Sequence, residues 1–399
     1  MASGHMKPRQ RPDIWLHRPM LQNVKKILTN PEPSTSSVGR GELRGAGLGP
    51  TMFSFKPIRC FLPSLELTMR RRDFITLLGG AVATRCCGQP SAAQAQSALR
   101  VFRIGHINSA PQLVLTSPLG SVLVRSFQQH GFELGKNLVL ELRGAAGRTE
   151  ALPKLVQELL DAKVDLIFAT GYPPAVLAKL TGLPTVVTHG AGDPVATGLV
   201  QSLSRPGGNV TGISDNATEL TTKRLQLLKE TSPTIRRVAM LWNKEDLAMT
   251  LRYEASAKAA QSLGVIVQPL GVREPNDFDE AFASMTGDTP DAILMVADSL
   301  TILNRKRVYD FAAAHRLPAI YEVDFLVADG GLMSYGSDLA ECFERAVALA
   351  DRILKGAKPG DLPFEQPTRY KFAINVKTAK MLGLDIPQSV MALADIVIE

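Results

Sequence analysis

The chain has 399 residues, of which 45% are hydrophobic and 21% charged, so it is long enough to bury the cores of two or more domains. Its formal net charge of +7 is uneven, because residues 1–95 carry 14 Lys and Arg against 5 Asp and Glu, and the remainder is slightly acidic. Bulk charge therefore gives no support to nucleic-acid binding, and we predict no nucleic-acid partner. Of the four cysteines only Cys342 lies beyond residue 95, which excludes a disulfide or a cysteine-rich metal site in the body of the chain.

Residues 69–95 have the layout of a signal peptide, with three consecutive arginines, a short apolar stretch and small residues before Ala95. The arginine pair followed by Asp-Phe-Ile favours a twin-arginine signal over a general secretory signal, which is the alternative. We expect cleavage before Gln96. The Pro-, Ser- and Gly-rich stretch Pro31–Pro50 shows no helical or strand period, and we expect residues 1–68 to be a disordered extension that comes from an upstream start or from cloning.

After the signal peptide, the first half of the chain alternates apolar strands with amphipathic helices. The predicted strands are Val101–Ile107, Asn137–Leu142, Val164–Thr170, Pro184–Thr188 and Val210–Ile213. The predicted helices between them are Ser117–His130, Leu152–Leu160, Ala175–Leu180 and Val195–Leu203. The last of these lies in a turn-rich stretch that separates the first half from the second.

The second half repeats the alternation. The predicted helices are Thr218–Thr231, Leu247–Leu263, Asn276–Met285, Thr301–His315, Ala340–Leu354 and Thr378–Leu382. The predicted strands are Arg237–Trp242, Val265–Leu270, Ala292–Val296, Ala319–Tyr321 and Gly331–Tyr335, and the segments Phe372–Asn375 and Val390–Ile398 finish the chain.

Unbroken apolar strands of this kind are typical of parallel strands that are covered by helices on both faces. We therefore predict an α/β fold with two doubly wound parallel-sheet lobes joined by a multi-crossing hinge. The first lobe is predicted to comprise residues 96–213 and 336–358, and the second lobe residues 214–335 and 359–399.

Seven segments together carry a resemblance to a known family. They are Arg71–Ala81, Gly192–Val200 (Gly-Asp-Pro-Val-Ala-Thr-Gly-Leu-Val), Arg205–Gly212 (Arg-Pro-Gly-Gly-Asn-Val-Thr-Gly), His315–Tyr321, Gly330–Gly336, Ile353–Pro359 and Ile374–Leu384. In these segments the chain resembles the solute-binding proteins of ABC transporters, in the group similar to tryptophan- and tyrosine-binding proteins. The resemblance implies a periplasmic-binding-protein fold of type I, a periplasmic location, and a protein that closes on a small solute and delivers it to the transmembrane subunits of an ABC permease. We expect a monomer without a cofactor.

Loops that follow the C-terminal ends of parallel strands in the two lobes are predicted to face a shared cleft. Short hydroxyl and amide side chains there can hold a ligand carboxylate beside helix N-termini, Asp298 can pair with an ammonium group, and tyrosines can pack on an apolar body. Helix capping or core packing explains several of these residues equally well. The candidate ligand-binding residues are Asn108, Ser109, Thr170, Gly171, Tyr172, Thr188, His189, Asp193, Ser214, Asn243, Asp298, Tyr321 and Tyr335.

These groups favour a small carboxylate, such as an amino acid or an aromatic or branched acid, over a sugar. A phosphate ester is disfavoured because no Arg or Lys falls in the predicted cleft loops. Two alternatives to a solute receptor remain: a ligand-sensing input domain for a signalling partner, and an α/β enzyme such as a racemase. The chain offers no nucleophile motif and no second cleft cysteine, so we predict no catalytic residue, no metal site and no enzyme activity.

Overall fold

The computed structural model describes residues 100–399 and contains two β-sheets. The predicted signal peptide, its cleavage site and residues 1–68 lie outside the described residues. The first sheet has five parallel strands in the order β2-β1-β3-β4-β5. These strands are β1 (Phe102–Asn108), β2 (Leu138–Gly144), β3 (Leu166–Thr170), β4 (Thr185–His189) and β5 (Val210–Gly212).

The second sheet has seven strands in the order β12-β11-β10-β9-β8-β6-β7. They are β6 (Arg237–Asn243), β7 (Ile266–Val272), β8 (Ala292–Met295), β9 (Ala319–Tyr321), β10 (Met333–Ser337), β11 (Tyr370–Asn375) and β12 (Ile396–Ile398). All neighbours in this sheet pair in parallel except β10 and β11, which are antiparallel. The predicted fold class, two parallel-sheet α/β lobes, is confirmed with this one antiparallel pair added.

Helices cover the faces of both sheets. Those of the first half are α1 (Pro118–Gln129), α2 (Leu152–Asp161) and α3 (Tyr172–Leu180). Those of the second half are α4 (Ala217–Thr231), α5 (Leu247–Ser262), α6 (Asp277–Gly287), α7 (Ser299–Leu303), α8 (Arg305–His315), α9 (Asp324–Ala328), α10 (Leu339–Leu354), α11 (Val376–Leu382) and α12 (Gln388–Met391). Within residues 100–399, no helix is long and apolar enough to cross a membrane.

Two helix predictions are wrong. The segment Val195–Leu203 forms successive turns instead of a helix, because Gly198 adopts a left-handed φ of 73° and the Val200 N–H donates to the Pro194 carbonyl. The predicted helix Thr301–His315 is two helices, α7 and α8. Asn304 ends α7, since its side-chain amide donates to the Leu300 carbonyl at 2.9 Å and its backbone leaves helical geometry.

The first sheet takes part of its cover from the end of the chain. Phe343 and Val347 of α10 lie in the same hydrophobic cluster as Ile104 of β1 and Phe168 of β3. Leu362 and Phe364 also pack in clusters of the first sheet, although the sequence assigned residues 359–399 to the second lobe. The remainder of the predicted lobe division stays a prediction.

The chain crosses between the two sheets three times. The crossings are residues 213–216 after β5, Asp338 between β10 and α10, and residues 363–369 before β11. They lie side by side, because the Ser214 N–H donates to the Glu365 carbonyl at 2.8 Å and the Asp338 N–H donates to the Arg369 carbonyl at 3.0 Å.

Candidate ligand-binding cleft

A cleft of about 2070 Å³ lies between the C-terminal ends of the strands of the two sheets. Topology alone puts it there, since the loops that follow parallel strands meet at one edge of each sheet. Its lining contains eight of the thirteen predicted ligand-binding residues. These are Asn108, Ser109, Thr170, Gly171, Tyr172, His189, Asn243 and Asp298.

Three other predicted residues lie beside the cleft without lining it. The Thr188 side chain is fully buried, and its hydroxyl bonds the Thr170 hydroxyl at 2.7 Å. Asp193 accepts hydrogen bonds from two backbone N–H groups of the following turn, as expected for a capping residue. Ser214 is buried in the first crossing.

The tyrosines Tyr321 and Tyr335 do not line the cleft either. Tyr321 is 1% exposed, and its ring packs edge-on against Tyr309 in the core of the second lobe. Tyr335 stacks on Tyr370 with ring centroids 6.3 Å apart. The next residue after Tyr321, Glu322, lines the cleft instead, because successive side chains along an extended segment point to opposite faces.

On the side of the first sheet, two buried side-chain oxygens of cleft-lining residues lack hydrogen-bond partners among residues 100–399. Asn108 and Ser109 are each 7% exposed, and within residues 100–399 neither Asn108 Oδ1 nor Ser109 Oγ has a hydrogen-bond partner. A buried polar atom without a partner costs about 1–3 kcal/mol, so a bound polar group would be stabilised here. Helix α3 adds few N–H donors, because Pro173 and Pro174 occupy its first turn.

Behind this wall a chain of hydrogen bonds links two histidines. His106 Nε2 lies 3.1 Å from the Thr170 hydroxyl, which bonds the Thr188 hydroxyl, and that hydroxyl lies 3.4 Å from His189 Nδ1. Burial lowers the pKa of both histidines to about 4, and for His106 the neighbouring His189 adds to the effect. Both rings are therefore neutral at pH 7.

On the side of the second sheet, two aspartates cap helices at the cleft. Asp246 caps α5 by accepting hydrogen bonds from the Ala248 and Met249 N–H groups, at 2.9 and 3.4 Å. Asp298 caps α7, and the Asn243 side-chain amide donates to its Oδ2 at 2.6 Å. Asp298 was predicted from the sequence and Asp246 was not.

A buried network of ion pairs closes the base of the cleft. Glu322 accepts from Arg224 Nη1 at 2.8 Å, from Arg252 and from the Ala297 N–H at 3.0 Å. Arg252 also pairs with Asp215 of the first crossing. Burial lowers the pKa of Arg224, which faces one carboxylate, whereas for Arg252 the carboxylates of Asp215 and Glu322 outweigh burial and raise the pKa.

Sequence reasoning missed both arginines, because the argument against a phosphate ester considered only the predicted cleft loops, whereas Arg224 and Arg252 reach the cleft from helices. The basic residues that line it are Arg148, Arg224, Lys244, Arg252 and Arg273. A signal was present in the helix pattern: Arg224 lies four residues after the buried Leu220, and Arg252 four residues after the buried Ala248. Each arginine therefore lies on the buried face of its helix.

The cleft thus has polar side chains on the side of the first sheet, two aspartates on the side of the second sheet and buried ion pairs at its base. This arrangement is suited to binding a small polar molecule. Nowhere in residues 100–399 are three or more His, Cys, Asp or Glu side chains placed to hold a metal ion. The single cysteine of this region, Cys342, is buried, and burial raises the pKa of its thiol to about 12.

Comparison with known proteins gives one family. The model described as ABC transporter substrate binding protein matches residues 120–398. A tyrosine-binding protein of Clostridioides difficile is 26% identical to this chain over 263 residues, which is 65% of this chain and 75% of that protein.

Solved structures share the fold. A conserved domain protein from Vibrio cholerae aligns with a TM-score of 0.68 at 22% identity, covering 75% of this chain and 99% of that chain. An ABC domain from Streptococcus pneumoniae, solved in complex with L-Trp, aligns with a TM-score of 0.67 at 24% identity, covering 75% of this chain and 100% of that chain.

Proposed function

The chain belongs to the family of ABC transporter substrate-binding proteins, and we propose that it captures a small solute outside the cytoplasm for an ABC import system. Its partners are then the solute and the transmembrane subunits of a permease, and it acts as a monomer without a cofactor. The observation that carries this proposal is the cleft between the two lobes, whose first wall presents the buried, unpartnered oxygens of Asn108 and Ser109. These two atoms can form hydrogen bonds with a polar ligand, and such binding needs neither a nucleophile nor a metal.

The proposed ligand is a small carboxylate, such as an amino acid or an aromatic or branched acid. The Ser109 hydroxyl can donate to a carboxylate, whereas the unpartnered Asn108 Oδ1 can only accept a hydrogen bond from an N–H or O–H group of the ligand. The similar protein from Clostridioides difficile is named for tyrosine, which supports an aromatic amino acid among the candidates. Of the three tyrosines predicted to pack on an apolar part of the ligand, only Tyr172 lines the cleft, since Tyr321 and Tyr335 pack elsewhere.

The proposed location is the periplasm, reached through the signal peptide of residues 69–95. N-terminal sequencing of the exported protein is expected to begin near Gln96. A mature protein that retains residues 7–68 would contradict this assignment.

The two lobes are proposed to rotate about the three crossings when ligand binds. The radius of gyration in small-angle scattering is then expected to fall when a ligand of proven affinity is added. An unchanged radius with that ligand would count against the hinge.

Thermal-shift screening followed by titration calorimetry tests the ligand class. The purified protein is screened against amino acids, aromatic and branched acids, and sugars, and each hit is recovered to check that it is chemically unchanged. Ser109→Ala is expected to weaken binding of the best carboxylate by about 1–3 kcal/mol, and Thr170→Ala to weaken it by a similar amount. Ser262→Ala, an exposed position at the end of α5 outside the cleft, serves as the control. A sugar as the only stabilising compound would overturn the proposed ligand class, and turnover of a hit would overturn the proposed receptor function.

A further inference from the structure

The two aspartates on the side of the second sheet, Asp246 and Asp298, differ in how many of their carboxylate oxygens already accept hydrogen bonds. Asp298 bonds the Thr301 N–H and hydroxyl through Oδ1, and it bonds Asn243 through Oδ2. Asp246 is 6% exposed and accepts both of its hydrogen bonds through Oδ1. Its second oxygen therefore has no hydrogen-bond partner among residues 100–399, although Asp246 lines the cleft.

The charge around Asp246 is unbalanced. Asp298 is a second carboxylate in the same wall, and the nearby Arg252 already pairs with Asp215 and Glu322. Burial and, second to it, the charge of Asp298 raise the pKa of Asp246 to about 7, although the helix N–H groups and Arg252 oppose the shift. A cation bound at the second Asp246 oxygen would lower the free-energy cost of keeping this buried carboxylate charged.

The opposite wall supplies an independent sign of a polar ligand. Asn108 Oδ1 and Ser109 Oγ are more than nine-tenths buried and lack partners within the described residues, and they line the same cleft. One wall therefore offers the Ser109 hydroxyl, which can donate to a carboxylate, and the other offers an uncompensated carboxylate. A zwitterion, with a carboxylate at one end and an ammonium group beside it, matches both.

We propose that Asp246, and not Asp298, binds the ammonium group of the ligand, so that the cleft selects α-amino acids over the same acids without the amine. This inference rests on the proposed function, because it assigns a specificity-determining residue to the proposed ligand site. Asp298 then serves as a positioning residue, which holds Asn243 and the start of α7 in place.

Pairs of compounds that differ only in the amine test the proposal. L-Tyrosine is compared with 3-(4-hydroxyphenyl)propanoate, and L-leucine with 4-methylpentanoate, by calorimetry on the purified protein at pH 7.5. The wild-type protein is expected to bind the amine-bearing member of at least one pair tenfold or more tightly. Asp246→Asn is expected to abolish that preference while leaving the affinity for the acid without the amine within about threefold.

A matched control separates loss of the ammonium contact from loss of a backbone cap. Asp291→Asn changes a carboxylate that also accepts from two backbone N–H groups, those of Arg236 and Arg237, but lies outside the cleft. It is expected to leave both affinities unchanged. Asp298→Asn is expected to alter the affinities for the two members of a pair by the same factor.

A second readout is the proton balance of binding. The titratable groups that face Asp246 are Asp298 and Arg252 from the second lobe and Tyr172 from α3. Arg252 stays charged and Tyr172 stays neutral at pH 7, because the pKa of each is raised, that of Tyr172 to about 12. Calorimetry in phosphate and in Tris buffer at pH 7 is therefore expected to show release of a fraction of a proton for L-tyrosine in the wild type and none in Asp246→Asn.

The outcomes separate this inference from the proposed function. Equal affinity for both members of each pair, or a preference that survives in Asp246→Asn, overturns the role of Asp246 while the receptor function stands. Failure of every amino acid and carboxylate to bind overturns the proposed ligand class itself.

Discussion

Removing the carboxylate of Glu322 is expected to be among the most destabilising single changes in the second lobe. Glu322 is 5% exposed and is shared by Arg224 and Arg252, which are 2% and 4% exposed. In Glu322→Gln, Arg224 loses the one carboxylate it pairs with among the described residues, whereas Arg252 keeps Asp215.

The magnitude follows from the geometry. At the 2.8 Å separation between Arg224 Nη1 and Glu322 Oε1, Coulomb's law with an effective dielectric constant of 20 gives an attraction of about 6 kcal/mol. The glutamine carbonyl can still accept one hydrogen bond, and breaking a buried pair by removing one partner costs about 3–5 kcal/mol. We therefore expect the free energy of unfolding to fall by about 3–5 kcal/mol, and Tm to fall by roughly 10 °C.

Urea unfolding followed by circular dichroism measures this loss. Glu133→Gln is the control, because Glu133 forms an exposed ion pair with Lys136 and its loss is expected to cost less than about 1 kcal/mol. The double variant Arg224→Met/Glu322→Gln should be less destabilised than the sum of its two single variants. A free energy of unfolding for Glu322→Gln within about 1 kcal/mol of the wild type would refute the reasoning.

Three further predictions concern stability. His106 and His189 have pKa values of about 4 in the folded protein against an ordinary 6.5, so the unfolded chain takes up protons at a higher pH than the folded protein does. The stability that is present above pH 6.5 is therefore lost as the pH falls towards 4, by up to about 3 kcal/mol per histidine. Replacing both histidines with Gln should flatten the fall in urea midpoint between pH 7 and 4.5 relative to the wild type, and an unaltered slope would exclude them as its cause. Gly336→Ala should cost more than about 3 kcal/mol, because its Cβ would stand 1.7 Å from the Glu322 carbonyl oxygen, and a wild-type melting temperature would contradict that contact. Thr211→Val should cost about 1–2 kcal/mol, since the buried hydroxyl donates to two backbone carbonyls at 2.9 and 3.1 Å, and urea unfolding without a shift would show that these bonds contribute nothing.

The parallel-sheet architecture could be predicted because its signals are local. A run such as Val164–Thr170 reads as a strand without reference to the rest of the chain, and the structure has β3 there. The cleft followed from topology, and therefore so did the placement of Asn108 and Asp298. The charges that close its base could not be found this way, because nothing local shows that an arginine on a helix such as Arg252 is buried by a carboxylate 70 positions away.

Side-chain direction at strand ends was the second obstacle. Tyr321 and Glu322 are neighbours, and one of them faces the core while the other faces the cleft. The sequence favours the tyrosine as a ligand contact, because a tyrosine can pack on the apolar body of a ligand. Only the register of β9 against β8 and β10 settles which side chain points inward.

The cover that α10 gives the first sheet also sets an order on the synthesis of the protein. Phe343 and Val347 share a hydrophobic cluster with Ile104 and Phe168, and until α10 is synthesised α1 covers that face of the first sheet only in part, through Leu123 and Phe127. The second sheet must be largely translated before that face is covered. A chain that ends before α10 therefore leaves apolar side chains of the first sheet exposed, and we expect such a truncated chain to aggregate more readily than the full chain.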